Sequence, residues 1–213
     1  MSRPFLILSS ALVLVMVACS KGGSAQGAPS AVGPASSPTA VSSPTPTTAP
    51  SASTSAAPQT YASNGVTFDY PADLIDVTSQ VSFNAQTQAT NQVWSVDLGF
   101  ANLVDIVDIT AYDKTGVTPA NLAEHRTEIT NSITGLFAAT ATVNGPIDTT
   151  MGGLPGYEFD ASDTLSDGTP YTSVLILVFS DSLEYFVNCQ STAEHIVEIA
   201  AGCDEIRSTF AVS

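Results

Sequence analysis

The chain predicts an α+β fold in which an antiparallel β-sheet is flanked by helices. Several short segments alternate apolar and polar residues with the period of two that is typical of strands. A turn signal, Asp167-Gly168, lies between two of them, as expected for a hairpin. Two longer segments repeat apolar residues at helical spacing, one in the middle of this region and one at its end. Hairpin strands with a few helices form an antiparallel sheet with helices packed on it.

Six strands are predicted, at residues 66–71, 92–100, 103–112, 154–161, 171–179 and 184–188. In the second strand Trp94, Val96 and Leu98 share one face, and the smaller or polar Ser95, Asp97 and Gly99 share the other. The third has apolar residues on both faces, which indicates an inner strand. The continuous apolar run of the fifth, YTSVLILVF, makes it the best candidate for a central strand.

The first predicted helix starts at Thr118-Pro119, with Thr118 as N-cap and Pro119 at the first helical position, where its missing N–H has no cost. It ends at about Phe137, and its apolar side consists of Leu122, Ile129, Ile133, Leu136 and Phe137. The second helical region runs from an N-cap at Thr192 to Phe210. Its apolar side includes Ile196, Val197, Ile199 and Ala200.

Residues 1–18 predict a lipoprotein signal peptide. The run from Phe5 to Val17 is apolar except for two serines, and 13 helical residues rise only about 20 Å, less than a bilayer core of roughly 30 Å. The sequence Met16-Val17-Ala18-Cys19 resembles a bacterial lipobox. That resemblance implies cleavage before Cys19 and a diacylglycerol on its thiol, at the outer face of the bacterial cytoplasmic membrane. An ordinary signal peptide with an incidental cysteine is the alternative.

Residues 19–63 predict a disordered tether that lets the protein project into the cell wall. Between Ser20 and Ser63 there is one charged residue, Lys21, and one aromatic residue, Tyr61, among mostly Ala, Ser, Thr, Pro and Gly. Such a segment has too little apolar bulk to offset the entropy of ordering. The globular domain is therefore predicted at residues 64–213.

The predicted domain is strongly acidic. The chain has a formal net charge of −15, and all 20 of its acidic residues follow residue 63, with only Lys114, Arg126 and Arg207 as bases. Nucleic acid is excluded as a partner because no basic patch can form to neutralise its phosphates. An anionic membrane surface would also repel the domain, so contact with the membrane is expected through the N-terminal lipid alone.

The two remaining cysteines, Cys189 and Cys203, predict a disulfide, because an even count outside the cytoplasm is typical of one. The predicted disulfide also constrains the geometry of the second helix. In a straight helix from Thr192, Cys203 would lie about 16 Å along the axis, whereas bridged Cα atoms lie within about 7 Å. We therefore expect the helix to break at Gly202 and a second helix to begin near Cys203.

No motif predicts catalysis, a metal site or a cofactor. His125 and His195 lie in predicted helices, and no Gly-x-Ser-x-Gly elbow accompanies them. The acidic segment with Asp160, Asp163 and Asp167 does not have the EF-hand pattern and is expected to be a solvated hairpin loop.

Two further candidates are also interpreted structurally. Asp105 and Asp108 lie three apart on a predicted strand and so point to opposite faces, which makes them a poor glycosidase pair. Gly152-Gly153-Leu154-Pro155-Gly156 lacks the lysine of a phosphate loop and is expected to turn into a strand.

Three segments, together with the order of the elements, resemble the PsbP-like family. They are NGVTFDYPAD at 64–73, GGLPGYEFDA at 152–161, and DSLEYFVNCQST with CDEIRSTF between 181 and 210. The resemblance is close to small actinobacterial lipoproteins of the LpqN type, and it implies an α/β/α sandwich and an accessory or binding role. It assigns no functional residue here.

The sequence therefore favours a non-enzymatic, lipid-anchored protein that binds a cell-envelope protein or wall component. The alternative is a carrier of a lipid or small apolar ligand held between sheet and helix. A hydrolase is the third hypothesis, and it would need a nucleophile–histidine set or paired carboxylates. The ligand-binding residues are not predicted.

Overall fold

The computed structural model describes residues 57–81, 91–113 and 116–213. The predicted signal peptide, Cys19 and the tether up to residue 56 lie outside the described residues. No helix within the described ranges is long and apolar enough to cross a membrane.

Within the described ranges, seven antiparallel strands form the main sheet, in the order β3-β4-β5-β9-β8-β7-β6. Their bounds are Ile75–Asp76 (β3), Gln92–Gly99 (β4), Ile106–Asp113 (β5), Thr142–Met151 (β6), Leu154–Thr164 (β7), Pro170–Phe179 (β8) and Leu183–Thr192 (β9). Consecutive strands from β6 to β9 are hairpin neighbours. A second, three-stranded sheet has the order β1-β2-β10, with bounds Gln59–Ser63, Val66–Tyr70 and Ala211–Val212.

Helices cover both faces of the main sheet. A 3₁₀ helix, Leu122–His125, continues directly into α1, Arg126–Thr134, and α2 spans Ile196–Thr209. The α2 side contains one apolar cluster, in which Ile199 and Ile206 of α2 and Phe68 of β2 meet Ile109 and Ile176 of the main sheet. On the other side, α1 contributes Ile129 and Ile133 to a second cluster with strand residues such as Phe159, Leu175 and Phe186. The main sheet is therefore the middle layer of three.

The predicted fold class is confirmed, since the structure is an antiparallel sheet flanked by helices. All six predicted strands are present, and β5 is an inner strand as its two apolar faces indicated. The centre of the sheet is β9, whereas the run that we expected there forms β8, its neighbour. Strands β1, β3, β6 and β10 were not predicted.

The ordered domain begins before Asn64, so the predicted boundary at residue 63 is wrong. Gln59–Ser63, which the sequence placed in the tether, forms β1 and pairs with β2 in register Tyr61↔Phe68. The ring of Tyr61 stacks on Phe68 with 4.8 Å between centroids. This single aromatic residue gives the segment the apolar contact that its neighbours lack.

The expected helix break at Gly202 is also wrong, because α2 is continuous from Ile196 to Thr209. The error lies in the start of the helix. Thr192 is the last residue of β9 rather than an N-cap, and the helix begins four residues later. Cys203 then lies about 10 Å along α2, and Cys189 lies about 10 Å before the end of β9. A helix that returns over its own strand thus brings both cysteines to the same level without a break.

The first helix is shorter than predicted. Thr118 is not its N-cap: the backbone N–H of Thr118 and its hydroxyl both donate to Asn121 Oδ1, at 2.6 and 3.1 Å. Helical structure starts only at Leu122, and α1 ends at Thr134, followed by Gly135.

Candidate ligand-binding groove

A groove of about 450 Å³ lies between α2 and the neighbouring strands β6, β7 and β8. Its size falls in the range of small-molecule sites, roughly 300–1,000 Å³. It is open to solvent and lies on the sheet face that α2 covers.

The floor of the groove is apolar because β8 and α2 both direct apolar side chains into it. Alternation along β8 directs Val174 and Ile176 to this face. Helical spacing brings Ile196, Ile199 and Ala200 of α2 to the opposite wall. Ile199 is fully buried, whereas Ile196 remains 46% exposed at the entrance.

The rim of the groove is polar and mainly acidic. Its charged side chains are Glu158 and Asp160 of β7 together with Asp204 and Arg207 of α2. Arg207 Nη1 lies 2.7 Å from Glu158 Oε2, and Nη2 donates to Thr149 Oγ1 at 2.5 Å. Arg207 is therefore already engaged, while Asp160 and Asp204 are exposed and leave the rim with excess negative charge.

The disulfide forms part of the groove wall. Cys189 and Cys203 are bonded, with 6.0 Å between their Cα atoms, and both line the groove. The bond joins the central strand to α2 and so fixes the distance between the two sides. The pairing is the one that the cysteine count predicted, and its place beside a groove was not predicted.

The two histidines lie apart from the groove. His125 Nδ1 is 2.9 Å from Glu128 Oε2 at the start of α1. His195, just before α2, stacks on Phe100 with 3.7 Å between ring centroids. Neither makes a hydrogen bond to a serine, threonine or cysteine side chain among the described residues. Among the residues that the structure describes, no nucleophile–histidine pair of the kind that a hydrolase requires involves either histidine.

The acidic candidates of the β7–β8 hairpin are spread along it. Asp167 Oδ1 accepts the Thr169 N–H at 2.9 Å, and this hydrogen bond holds the pKa of Asp167 below its usual value. Asp163 accepts the Thr164 N–H at 2.8 Å, and Asp160 lies at the groove rim. Within the described ranges no group of three or more His, Cys, Asp or Glu residues is placed to hold a metal ion.

Asp105 and Asp108 have separate environments. Asp105 precedes β5 and is fully buried, and both of its carboxylate oxygens accept hydrogen bonds from Thr192, one from the N–H and one from the hydroxyl. It thereby ties the β4–β5 connection to the end of β9. Asp108 instead lies opposite Asp97 on β4.

The glycine-rich segment is the turn from β6 into β7, as expected. Gly152 and Gly153 have φ of +58° and +77°, the left-handed region that favours glycine.

The groove residues themselves were missed by the sequence analysis. One sequence pattern in α2 did indicate the groove. Ile196, Ile199 and Cys203 form an apolar stripe on one face of the helix, and the charged Arg207 continues that stripe. A charged residue that continues an apolar stripe indicates that the stripe leaves the core at that end. The position of β6, which closes the far side, gave no such signal.

No family model and no curated protein matches the chain. Among solved structures, LpqN of Mycobacterium tuberculosis, described as involved in cell envelope biogenesis, matches with 13% identity and a TM-score of 0.46, over 74% of this chain and 90% of its own. Cyanobacterial PsbP from Synechocystis matches with 11% identity and a TM-score of 0.45, over 78% and 98%.

A Bacteroides thetaiotaomicron protein matches with 13% identity and a TM-score of 0.43, over 70% of this chain, which spans only 45% of that protein. At these identities, and with TM-scores below 0.5, we take neither a family nor a function from the three matches.

Proposed function

We propose that this protein is a non-catalytic accessory protein of the bacterial cell envelope, and that it binds its ligand in the groove beside α2. The observation that carries the proposal is the groove itself. It combines an apolar floor, a polar rim and a volume of about 450 Å³. Concave, largely apolar sites with a few polar groups are the usual form of ligand sites.

The chemistry of the groove indicates which ligand fits. The floor offers contact to an aliphatic or aromatic group, and the exposed Asp160 and Asp204 offer acceptors to an ammonium group or to hydroxyl donors. A cell-envelope protein would insert an apolar or amine-bearing side chain into the groove. A wall fragment would insert a chemical group of the same kind. The alternative is a carrier of a lipid or other small apolar ligand, and it is favoured by the location of the groove between sheet and helix.

Two neighbouring residues of α2 allow a matched test. Ile196 lines the groove and is 46% exposed, whereas Val197 is 74% exposed and does not line it. Ile196→Glu places a carboxylate beside the apolar floor, so we expect it to abolish ligand retention. Val197→Glu adds the same charge at the next position and is expected to retain the ligand.

The measurement is native mass spectrometry of the full chain, purified from its own cell envelope in mild detergent. A bound small molecule that is lost in Ile196→Glu and kept in Val197→Glu supports the carrier alternative. A co-purified protein or glycan with the same dependence supports the accessory role. If both variants retain the ligand equally, the ligand does not bind in the groove, and this part of the proposal is wrong.

The membrane anchor is part of the proposed function and rests on the lipobox-like Met16–Cys19 segment alone. We expect wild-type protein to fractionate with membranes and Cys19→Ala to lose its acyl group. Intact mass measurement of the wild type should give a chain that starts at Cys19 and carries a diacylglyceryl group. An unmodified Cys19 would contradict the anchor and leave the groove untouched.

A further inference from the structure

A row of buried polar residues crosses the main sheet on the face opposite the groove. Asp97 of β4, Asp108 of β5 and Asn188 of β9 occupy directly opposed positions on three adjacent strands. Directly opposed residues of neighbouring strands point to the same face. Their exposed fractions are 0%, 7% and 4%, so two carboxyl groups and an amide lie side by side out of contact with solvent.

Most acceptor atoms of this row have no hydrogen-bond partner. Both carboxylate oxygens of Asp97 and the Oδ1 of Asn188 are buried and unpartnered. Asp108 Oδ1 accepts the Thr110 hydroxyl at 2.8 Å. Buried polar atoms are satisfied in most native structures, and three such acceptors in one row indicate that a group which binds oxygen atoms belongs there.

Neither arginine within the described ranges supplies that group. Arg126 pairs with Asp148 and donates to the carbonyl of Pro146, and Arg207 pairs with Glu158. The two described histidines contact Glu128 and Glu194. The carboxylates of Asp97 and Asp108 are therefore not neutralised by these four side chains.

Protons on the two carboxyl groups satisfy only part of this row. They supply at most two donors, whereas three acceptor atoms on the two flanking strands lack a partner. A cation above Asp108 lies within reach of both neighbours, because adjacent strands are about 4.8 Å apart. It can contact Asp97, Asp108 and the Asn188 oxygen together, and two carboxylates balance a charge of +2.

We propose that Asp97, Asp108 and Asn188 bind a hard divalent cation, with calcium as the favoured ion. All the protein ligands are oxygen atoms, the set that calcium and magnesium prefer. Calcium accepts an irregular set of six to eight oxygens more readily than magnesium, which requires a near-ideal octahedron. A site with only two carboxylates is of the weak class, with a Kd of about 0.1–1 mM.

The test uses the full chain in mild detergent, stripped of metal with a chelator and then titrated with CaCl₂ or MgCl₂ up to about 10 mM, above the weak-site range. We expect calcium to raise the melting temperature and to give a saturable heat of binding. Asp97→Asn and Asn188→Leu should each lose the calcium-dependent shift. Asp181→Asn, an exposed acid in the β8–β9 turn, should keep it.

The metal-free melting temperature of Asp97→Asn shows that the variant folds. We expect it to equal or exceed that of wild type, because one of two adjacent buried charges has been removed. A saturable response to magnesium but not to calcium would support the cation site and would show that its ion is magnesium. No response to either cation in wild type, or the same response in Asp97→Asn and Asp181→Asn, would overturn the proposal.

Discussion

Gly202 shows how a single missing Cβ positions α2. The residue lies in the middle of the helix and is buried against the β2–β3 connection. A Cβ at this position would lie 2.6 Å from Leu74 Cδ1, and Leu74 is itself fully buried. The glycine therefore serves close packing rather than the helix end that its type suggested.

We predict that Gly202→Ala destabilises the domain by up to about 2 kcal/mol. Alanine favours a helix over glycine by about 1 kcal/mol, and crowding of a well-packed site costs roughly 1–3 kcal/mol. Crowding should prevail because Leu74 has no exposed surface to move into. Urea denaturation measures the change, and a more stable variant would show that Leu74 yields without cost.

The Asp97–Asp108 pair gives the metal-free domain an unusual dependence on pH. Burial raises the pKa of Asp97 to about 7 and that of Asp108 to about 8, with the charge of Asp97 adding to the latter. In the unfolded chain both titrate near pH 4. The pair thus contributes its full stabilisation below about pH 4 and loses it as the pH rises through about 7–8.

We therefore predict that, with a chelator present, the contribution of this pair to the free energy of unfolding falls between pH 5 and about pH 8. The comparison that isolates it is wild type against the Asp97→Asn, Asp108→Asn double variant, measured by urea denaturation at several pH values. The variant should gain stability relative to wild type as the pH rises. A constant difference across this range would show that the pair is not held in its protonated form by burial.

At the scale of elements, the sequence predicted strands well where only one face is polar or both are apolar. β5 was assigned as an inner strand, as observed, because Val107 and Ile109 oppose Ile106 on its other face. For β4 the same alternation placed Asp97 on the more polar face, opposite Trp94, Val96 and Leu98. Asp97 is nevertheless fully buried, because alternation alone cannot tell a solvated face from a covered polar one.

The disulfide is the element-scale constraint on α2. It closes a separation of 14 residues and joins two buried cysteines. Closing a loop of about this length stabilises a fold by roughly 3 kcal/mol in the chain-entropy model. We predict that the Cys189→Ala, Cys203→Ala double variant loses about 3 kcal/mol in urea denaturation.

The accompanying expectation concerns the groove. Since the bond holds α2 against β9, amide exchange in α2 should increase in the double variant more than exchange in α1, which lies on the other face of the sheet. Equal protection of α2 in both proteins would show that packing of Ile199 and Ile206 alone fixes the helix.

At the scale of the whole molecule, the groove results from how α2 covers the main sheet. Its apolar residues pack over the central strands and β2, and the groove remains against β6, β7 and β8. Sequence periodicity identified α2 and the strands, but it carried no information on where α2 lies across the sheet. That position depends on contacts distant in the sequence, such as Gly202 with Leu74 and Arg207 with Glu158.

Photo-crosslinking in cells tests the central claim, ligand binding in this groove, most directly. A benzophenone amino acid replaces Ile196 in one strain and Val197 in another, at adjacent exposed positions of which only the first lines the groove. The account predicts a covalent adduct of defined mass from position 196 and little or none from position 197. The same adduct in equal yield from both positions, or none from position 196, would contradict it.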